Sequence, residues 1–213
     1  MIKLNSIPAY GRQTSDLFLR AVDIAVSSTA LVVLLPLFVT VALMVKVESQ
    51  GPAFFRQERV GRYGRIFNIW KFRSMFEESS SPKSDFRTGR NDRRITRVGR
   101  VLRASSIDEL PQLINVLMGH MTFIGPRPTL PHQAERYDDY QRRRLEVRPG
   151  ITSLASTKGR NRLSWADRID LDVWYVDNRS LILDMKILLR TFWVAFVTRD
   201  GVYADGDKND DFV

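Results

Sequence analysis

The longest apolar run of the chain lies near its N-terminus, at residues 30–45, where only Thr40 and Pro36 interrupt strongly apolar positions. With the softer residues around it, the run reaches roughly 20 positions, the length that a helix needs to cross the core of a bilayer. The run is too long for the apolar part of a secretory signal, and no small-x-small cleavage site follows it. We therefore expect a membrane segment that stays in the mature protein.

Pro36 lies close to the middle of this segment, where it leaves the Val32 carbonyl without a helical partner and bends or breaks a helix. Basic residues flank the segment on both sides: Lys3, Arg12 and Arg20 before it, and Lys46, Arg56, Arg59, Arg62 and Arg65 after it. Because positive charge tends to stay cytoplasmic, both ends prefer the same side, as they would in a re-entrant helix. A kinked transmembrane helix that crosses the bilayer is equally compatible with these residues. Arg20 and Asp23, three apart, are spaced to pair at the interface.

Three later segments have clear periodic patterns. Residues 53–72 alternate and are punctuated by Gly61 and Gly64, which predicts a β-hairpin. Residues 93–102 repeat arginine at intervals of four and three, which predicts a basic amphipathic helix that lies on an anionic membrane, faces phosphates or is simply solvated. Apolar residues at helical spacing predict a core-facing helix over residues 108–118.

The rest of the chain predicts more helices and one long loop. Helices are expected over residues 133–147, 165–175 and 181–197. The polar residues 77–92 are expected to form a surface loop. The fold class is therefore α+β and predominantly helical, with amphipathic helices at the membrane surface and a small β-hairpin. We assign residues 1–48 to the membrane anchor and residues 49–213 to a cytoplasmic catalytic domain associated with the membrane surface.

Composition narrows the chemistry. The chain has no cysteine, which excludes a cysteine nucleophile, and its only two histidines, His120 and His132, argue against a zinc-imidazole mechanism. The formal net charge of +9 favours a polyanionic partner, which is a nucleic acid, an acidic membrane or a diphosphate. A nucleic-acid-binding protein would leave the apolar segment unexplained, and no aromatic platform accompanies the arginine run. We therefore expect no nucleic-acid partner.

Asp108 and Glu109 are adjacent carboxylates at the start of the predicted helix 108–118. Pro111 has to lie in the first helical turn, which makes Asp108 or a later residue the cap. One interpretation is structural, with Asp108 as the cap and Glu109 complementing the helix dipole. The other is catalytic, because cations lie in nearby turns or beside the acids: Lys71, Arg73, Arg103, Arg127 and Arg160.

Cations around carboxylates suit a site that binds phosphate. Arg127 lies between two prolines in Gly125-Pro126-Arg127-Pro128, a rigid turn that restrains it. A carboxylate attacks phosphorus to give an acyl phosphate when arginines and a divalent metal neutralise the phosphoryl oxygens. Mg²⁺ fits, because it takes one or two protein carboxylates together with substrate phosphates. Asp108 is its candidate ligand.

The order of motifs along nearly the whole chain resembles the bacterial sugar transferases, the monotopic polyprenyl-phosphate phosphoglycosyl transferases. The matching motifs are Lys71-Phe72-Arg73-Ser74-Met75, Thr96-Arg97, Gly99-Arg100, Leu102-Arg103, Ser106-Ile107-Asp108-Glu109-Leu110-Pro111-Gln112-Leu113, Asn115-Val116-Leu117, Gly125-Pro126-Arg127-Pro128, Pro149-Gly150-Ile151-Thr152, Gly159-Arg160, Leu171-Asp172, Tyr175-Val176 and Asn178. Residues 153–158 depart from the family pattern in a stretch for which the resemblance implies sugar or uridine contacts.

The resemblance implies a ping-pong reaction that begins glycoconjugate or exopolysaccharide synthesis. Asp108 would attack the β-phosphate of a UDP-sugar, release UMP and keep an aspartyl phosphosugar, with Mg²⁺ nearby. Polyprenyl phosphate, such as undecaprenyl phosphate, would then take the phosphosugar, with Glu109 as orienting group or base. In the anchor, Arg20, Asp23, Ser27 and Pro36 match a re-entrant helix.

That match makes the re-entrant helix our preferred interpretation and implies a bacterial inner membrane location, with the catalytic domain on the cytoplasmic face and membrane lipid as a partner. The alternative is a catalytically silent membrane scaffold of a glycan assembly complex. The sequence leaves the sugar, the pathway and a homo-oligomeric state open.

Overall fold

The computed structural model describes residues 13–76, 92–159 and 163–194. Its helices are α1 Gln13–Val33, α2 Leu35–Glu48, α3 Arg97–Ser105, α4 Gln112–Leu117, α5 Pro131–Glu135, α6 Asp139–Arg142, α7 Leu154–Lys158, α8 Trp165–Asn178 and α9 Leu181–Trp193. Its strands are β1 Phe54–Val60, β2 Ile66–Phe72, β3 Thr122–Ile124 and β4 Gly150–Thr152, in one antiparallel and one parallel pair. The predominantly helical α+β class is confirmed.

The N-terminal helices form a bent pair. The axes of α1 and α2 are bent by 61° at a break of one residue, Leu34. Pro36 is the second residue of α2, and because it has no N–H it cannot bond the Val32 carbonyl. The helix therefore breaks beside the proline, as predicted. Within the described residues no single helix is long and apolar enough to cross a membrane; only the bent pair meets that requirement, by length and composition.

Polar residues of α1 attach it to the rest of the chain. The Arg20 guanidinium donates to the carbonyls of Val116 and Leu117 at 2.5 and 2.7 Å, at the C-terminal end of α4. Asp23 accepts a hydrogen bond from the Thr122 hydroxyl at 3.1 Å. The suggested pairing of Arg20 with Asp23 is thus replaced by contacts that hold α1 against the end of α4 and the start of β3.

The predicted hairpin is confirmed. Strands β1 and β2 pair antiparallel from Phe54 opposite Phe72 to Val60 opposite Ile66. One face of the hairpin packs Phe67 and Ile69 against the α4 region, and the other packs Phe72 against α2 and α3. The hairpin therefore lies between the bent helix pair and the acid-bearing segment.

Two helix predictions need correction. The basic helix begins at Arg97, four residues later than expected, because the Thr96 side chain caps it by accepting from the Gly99 amide at 2.8 Å. The single helix expected over residues 133–147 is wrong, since the chain forms α5, α6 and a 3-10 turn. Asp138 starts α6 by accepting a hydrogen bond from the Gln141 amide at 2.8 Å, which interrupts the helix before it.

The C-terminal helices agree with the predicted segments. Helix α8 contains the expected residues 165–175, and α9 covers residues 181–193 of the expected 181–197. Helix α9 buries Ile187 and Asp184 but exposes a row of apolar side chains: Leu181, Ile182, Met185, Leu188, Leu189, Phe192 and Trp193. The predicted loop at residues 77–92 lies almost entirely outside the described residues.

Candidate active site

The acid pair lies on a tight turn between α3 and α4. Ser106 has a left-handed backbone, with φ of 58°, where α3 ends. Residues Ile107–Glu109 then form a 3-10 turn, and α4 begins only at Gln112. The predicted start of the helix at residue 108 is therefore wrong. Pro111 lacks the N–H that a continuous α-helical ladder requires, so the chain uses short-range bonds here instead. Asp108 makes no capping hydrogen bond, which removes the purely structural interpretation of that residue.

Glu109 is held by two cations. Its Oε1 accepts hydrogen bonds from Lys71 Nζ at 2.7 Å and from Arg127 Nη2 at 2.5 Å, and its Oε2 lies 3.3 Å from Arg127 Nη1. Burial raises the pKa of Glu109, but the charges and hydrogen bonds of Arg127 and Lys71 outweigh it and hold the pKa well below its usual range. Glu109 therefore stays ionised and fixes both cations.

Asp108 differs from its neighbour. The residue is 9% exposed, and the described part of the chain offers its carboxylate no hydrogen bond. Burial raises its pKa to about 6, with the negative charge of Glu109 adding to the effect and the positive charges of Lys71, Arg103 and Arg127 opposing it. Asp108 is thus a carboxylate that changes charge near neutral pH and has unshared oxygens.

A short parallel sheet positions Arg127. The Gly125 amide donates to the Thr152 carbonyl at 3.0 Å, and the Gly150 amide donates to the Pro126 carbonyl at 3.0 Å. A Cβ on Gly150 would lie 2.1 Å from the Gly125 nitrogen, so the two backbones approach too closely for a side chain there. This close pairing fixes the turn that carries Arg127. Strands of three residues escaped the sequence analysis because they are too short for a periodic signal.

A buried ion pair supports the same turn from behind. Arg144 Nη2 lies 2.5 Å from Asp172 Oδ2 and 3.1 Å from the Arg127 carbonyl, and Nη1 donates to the Tyr137 hydroxyl at 2.5 Å. Both charged side chains are 1% exposed. The sequence analysis placed Asp172 in a motif but assigned it no role, and nothing in the local pattern around Arg144 distinguishes it from its arginine neighbours.

The other predicted phosphate-binding residues separate into three cases. Arg103, at the end of α3, acts electrostatically on Asp108 and belongs to the site. Arg73 is buried away from the acids, where it donates to the carbonyls of Gln50 and Ser49 at 2.5 and 2.7 Å, just beyond the end of α2. The structure does not bring its guanidinium to the acid pair. Arg160 lies outside the described residues.

The acid pair can contribute to a metal site but does not form a complete one. The described residues contain no group of three or more histidines or carboxylates placed to hold a metal ion. Glu109 is already bonded to two cations, which leaves Asp108 as the available ligand. Mg²⁺ retains waters and takes substrate phosphates as ligands, so one carboxylate is a sufficient protein contribution. The donor set fits Mg²⁺ when a diphosphate is bound.

Partly buried cations around a carboxylate with unshared oxygens have the chemistry that transfer of a phosphoryl group requires. The family described as bacterial sugar transferase matches residues 14–198 of the chain. The chain therefore belongs to the bacterial sugar transferase family, which confirms the resemblance. The predicted enzyme class, a sugar-1-phosphate transferase, is confirmed as well.

Individual relatives match most of the chain. The UDP-glucose:undecaprenyl-phosphate glucose-1-phosphate transferase of Caulobacter vibrioides is 41% identical over 204 residues, covering 90% of this chain and 74% of that protein. The exopolysaccharide production protein ExoY of Rhizobium meliloti is 37% identical, covering 84% of this chain and 86% of that protein. The undecaprenyl-phosphate galactose phosphotransferase of Salmonella typhimurium is 38% identical, covering 90% of this chain but only 43% of that protein.

Proposed function

We propose that the chain transfers a sugar phosphate from a UDP-sugar to polyprenyl phosphate and releases UMP, as the first step of a bacterial glycan. The contrast within the acid pair carries the proposal. Glu109 is held by two cations, whereas Asp108 keeps its oxygens unshared in the field of three cations. The name of the Caulobacter relative supplies both a UDP-sugar and undecaprenyl phosphate as substrate classes.

In the first half-reaction, an Asp108 oxygen attacks the β-phosphorus of the donor. A bond forms between that oxygen and phosphorus, the bond from the β-phosphorus to the bridging oxygen breaks, and UMP leaves with the electron pair. The product is an acyl phosphate that carries the sugar. Lys71, Arg103 and Arg127 are the cations that offset charge on the phosphoryl oxygens, because each acts on the Asp108 carboxylate.

In the second half-reaction, a phosphate oxygen of the polyprenyl phosphate attacks the same phosphorus. The acyl phosphate bond breaks, the Asp108 carboxylate is restored, and the product is a polyprenyl diphosphate sugar. Of the two roles considered for Glu109, the contacts support the orienting one. A carboxylate whose pKa lies well below its usual range is a weak base, and its two bonds fix Lys71 and Arg127.

Mg²⁺ would be held by Asp108 together with substrate phosphate oxygens, and it would neutralise part of the diphosphate charge. The protein side of this assignment is the unshared carboxylate described above. The phosphate oxygens that complete the shell come with the donor. For this reason we expect Mg²⁺ to bind much more tightly with a UDP-sugar present than to the enzyme alone.

We also propose that the bent pair α1–α2 enters the inner leaflet of the cytoplasmic membrane and returns, leaving the catalytic domain on the cytoplasmic face. One side of α2 packs Phe38, Val41 and Val45 towards the hairpin and α3. Its other side exposes apolar residues, namely Leu35, Val39, Leu43, Met44 and Val47. An apolar surface of that extent beside the flanking basic residues supports insertion into an anionic membrane.

The decisive assay is UMP release by detergent-purified protein with Mg²⁺, a panel of UDP-sugars, and polyprenyl phosphate present or absent. We expect release with one or a few donors and loss of it in Asp108→Asn. A folded protein that releases no UMP from any donor would instead support the membrane scaffold.

A further inference from the structure

The turn that carries Arg127 contacts a second arginine, Arg59, which lies near the end of β1. The amide of the next residue, Val60, donates to the Thr129 carbonyl at 2.9 Å, so the strand runs directly beside the end of the turn. Arg59 Nη1 itself lies 3.4 Å from the Pro128 carbonyl. Arg59 is therefore adjacent to the loop that presents Arg127 to the acid pair.

Arg59 has no carboxylate partner among the described residues. Its Nη2 donates to the amide oxygen of Gln57 at 2.7 Å, and its buried Nε has no hydrogen-bond partner. Burial, followed by the positive charge of Arg127, lowers the pKa of Arg59 to about 10, and Glu109 only opposes this effect. Two guanidinium groups thus repel each other across one turn, and Glu109, the acid near them, accepts its hydrogen bonds from Arg127 and Lys71 rather than from Arg59.

Arg73 shows how this fold bonds the Nη atoms of an arginine that serves only structure; its Nε, like that of Arg59, is buried without a hydrogen-bond partner. Arg73 donates hydrogen bonds to three backbone carbonyls at and just after the end of α2, those of Val45, Ser49 and Gln50. Those oxygens lie at a helix C-terminus, where the backbone dipole is negative. Arg59 has only a neutral amide and one long carbonyl contact. Its charge is left for a ligand to compensate.

The charge of the site points to the kind of ligand. The site holds four cations and two carboxylates. Lys71, Arg103 and Arg127 act electrostatically on Asp108. Arg59 interacts electrostatically with Arg127 and Glu109. This excess of positive charge attracts a doubly charged diphosphate. Since the three cations that act on Asp108 serve the phosphate being transferred, the second phosphate of the donor is left for Arg59, the cation beside the turn that carries Arg127.

We propose that Arg59 binds the phosphate that stays with the departing nucleotide, so that Arg59 and Arg127 together hold the diphosphate of the UDP-sugar. The assignment rests on the proposed function and adds a residue to it. Arg59 is partly exposed, and its two Nη hydrogen bonds, to Pro128 and Gln57, are only partly buried. The phosphate of polyprenyl phosphate has the same chemistry as the donor phosphate. Loss of a contact to the donor affects the first half-reaction, whereas loss of a contact to the lipid phosphate affects the second.

The test uses the full chain in detergent, with Arg59→Gln and Arg59→Lys. We expect kcat/KM for the UDP-sugar to fall about ten- to a hundredfold in Arg59→Gln, with a smaller loss in Arg59→Lys. The KM for polyprenyl phosphate should not change. The matched control is Arg56→Gln, on the other side of the same strand, where the guanidinium stacks over Trp70 at 4.0 Å. It removes the same charge and should leave donor kinetics unchanged.

Calorimetric titration with UDP and with UMP separates this proposal from the function itself. Weaker binding of both nucleotides to Arg59→Gln supports the phosphate contact even if no donor is turned over. An unchanged nucleotide affinity, an effect only on the KM for polyprenyl phosphate, or equal effects of Arg56→Gln and Arg59→Gln would each overturn it. The melting temperature of each variant identifies a loss that comes from unfolding.

Discussion

Two of the arginine–carboxylate pairs, Arg144–Asp172 and Arg127–Glu109, differ in their surroundings. The side chains of Arg144 and Asp172 are each 1% exposed, and Arg144 also bonds the Tyr137 hydroxyl and the Arg127 carbonyl. In the second pair, the Arg127 side chain is 42% exposed and that of Glu109 is 21% exposed. The two pairs meet at residue 127, because Arg144 bonds its carbonyl and Glu109 bonds its guanidinium. The buried pair fixes the backbone, while the exposed pair offers charge to a substrate.

The largest effect is expected at Asp108, which belongs to neither pair. Asp108→Asn should reduce UMP release on the order of a thousandfold or more, because the amide is a poor nucleophile. Stability should stay the same or increase. Burial raises the pKa of Asp108 to about 6, so at pH 7 the folded state carries an ionised group that the unfolded state accommodates better. Turnover and denaturant unfolding check both parts; a variant that retains a tenth of the activity would contradict the assignment.

Breaking the buried pair should have the largest effect on stability. Asp172→Asn leaves the Arg144 charge buried without a counter-charge, which costs about 3–5 kcal/mol in the free energy of unfolding. The double variant Arg144→Met/Asp172→Leu should regain most of that loss, since an apolar pair of similar volume needs no compensation. Equilibrium unfolding in urea is the measurement, and a loss below about 1 kcal/mol in Asp172→Asn would show that the pair is not needed.

The exposed pair of Glu109 and Arg127 should control the pH dependence of kcat/KM for the donor. Because the Asp108 nucleophile has to be ionised, kcat/KM for the donor should rise with pH through about 6. Glu109→Gln removes a negative neighbour and releases the charges of Lys71 and Arg127, both of which favour the Asp108 carboxylate. The rise should therefore move to lower pH. A rise that stays in place, or moves upward, would contradict the coupling.

The smallest effect is expected at the ion pair of Arg143 with Asp177, whose side chains are 40% and 45% exposed. Asp177→Asn should change the free energy of unfolding by less than about 1 kcal/mol, because solvent screens the pair. Comparing Asp177→Asn with Asp172→Asn by the same urea titration shows how much of the stability loss depends on burial of the ion pair. Similar losses in the two variants would contradict the comparison.

Local patterns predicted the elements that have a clear period. The hairpin over residues 53–72 and the helix around residues 165–175 were found because alternation and helical spacing are properties of neighbouring residues. The start of α4 was misplaced because Pro111 selects a 3-10 turn before the helix, which spacing alone does not distinguish from a first helical turn. The pair β3–β4 depends on a close backbone approach between Gly125 and Gly150, far apart in sequence.

The site was predicted only in part. Lys71, Arg103 and Arg127 were chosen by their proximity to turns and acids, and the structure brings them to Asp108. Arg73 satisfied the same criterion, but its guanidinium bonds backbone carbonyls after α2. Arg59 was counted only as a flanking charge, because its contact with the Arg127 turn is a tertiary one. A basic residue beside a turn does not reveal from sequence which oxygen it bonds.

The central claim is that the Asp108 carboxylate carries the sugar phosphate between donor and acceptor. The most direct test is to incubate the enzyme with a labelled UDP-sugar and Mg²⁺ in the absence of polyprenyl phosphate, then map the label by mass spectrometry of peptides. We expect one phosphosugar on Asp108, released UMP in equal amount, and loss of the label when polyprenyl phosphate is added. UMP that appears only with the acceptor present, from a protein that never carries label, would contradict the claim and indicate direct transfer.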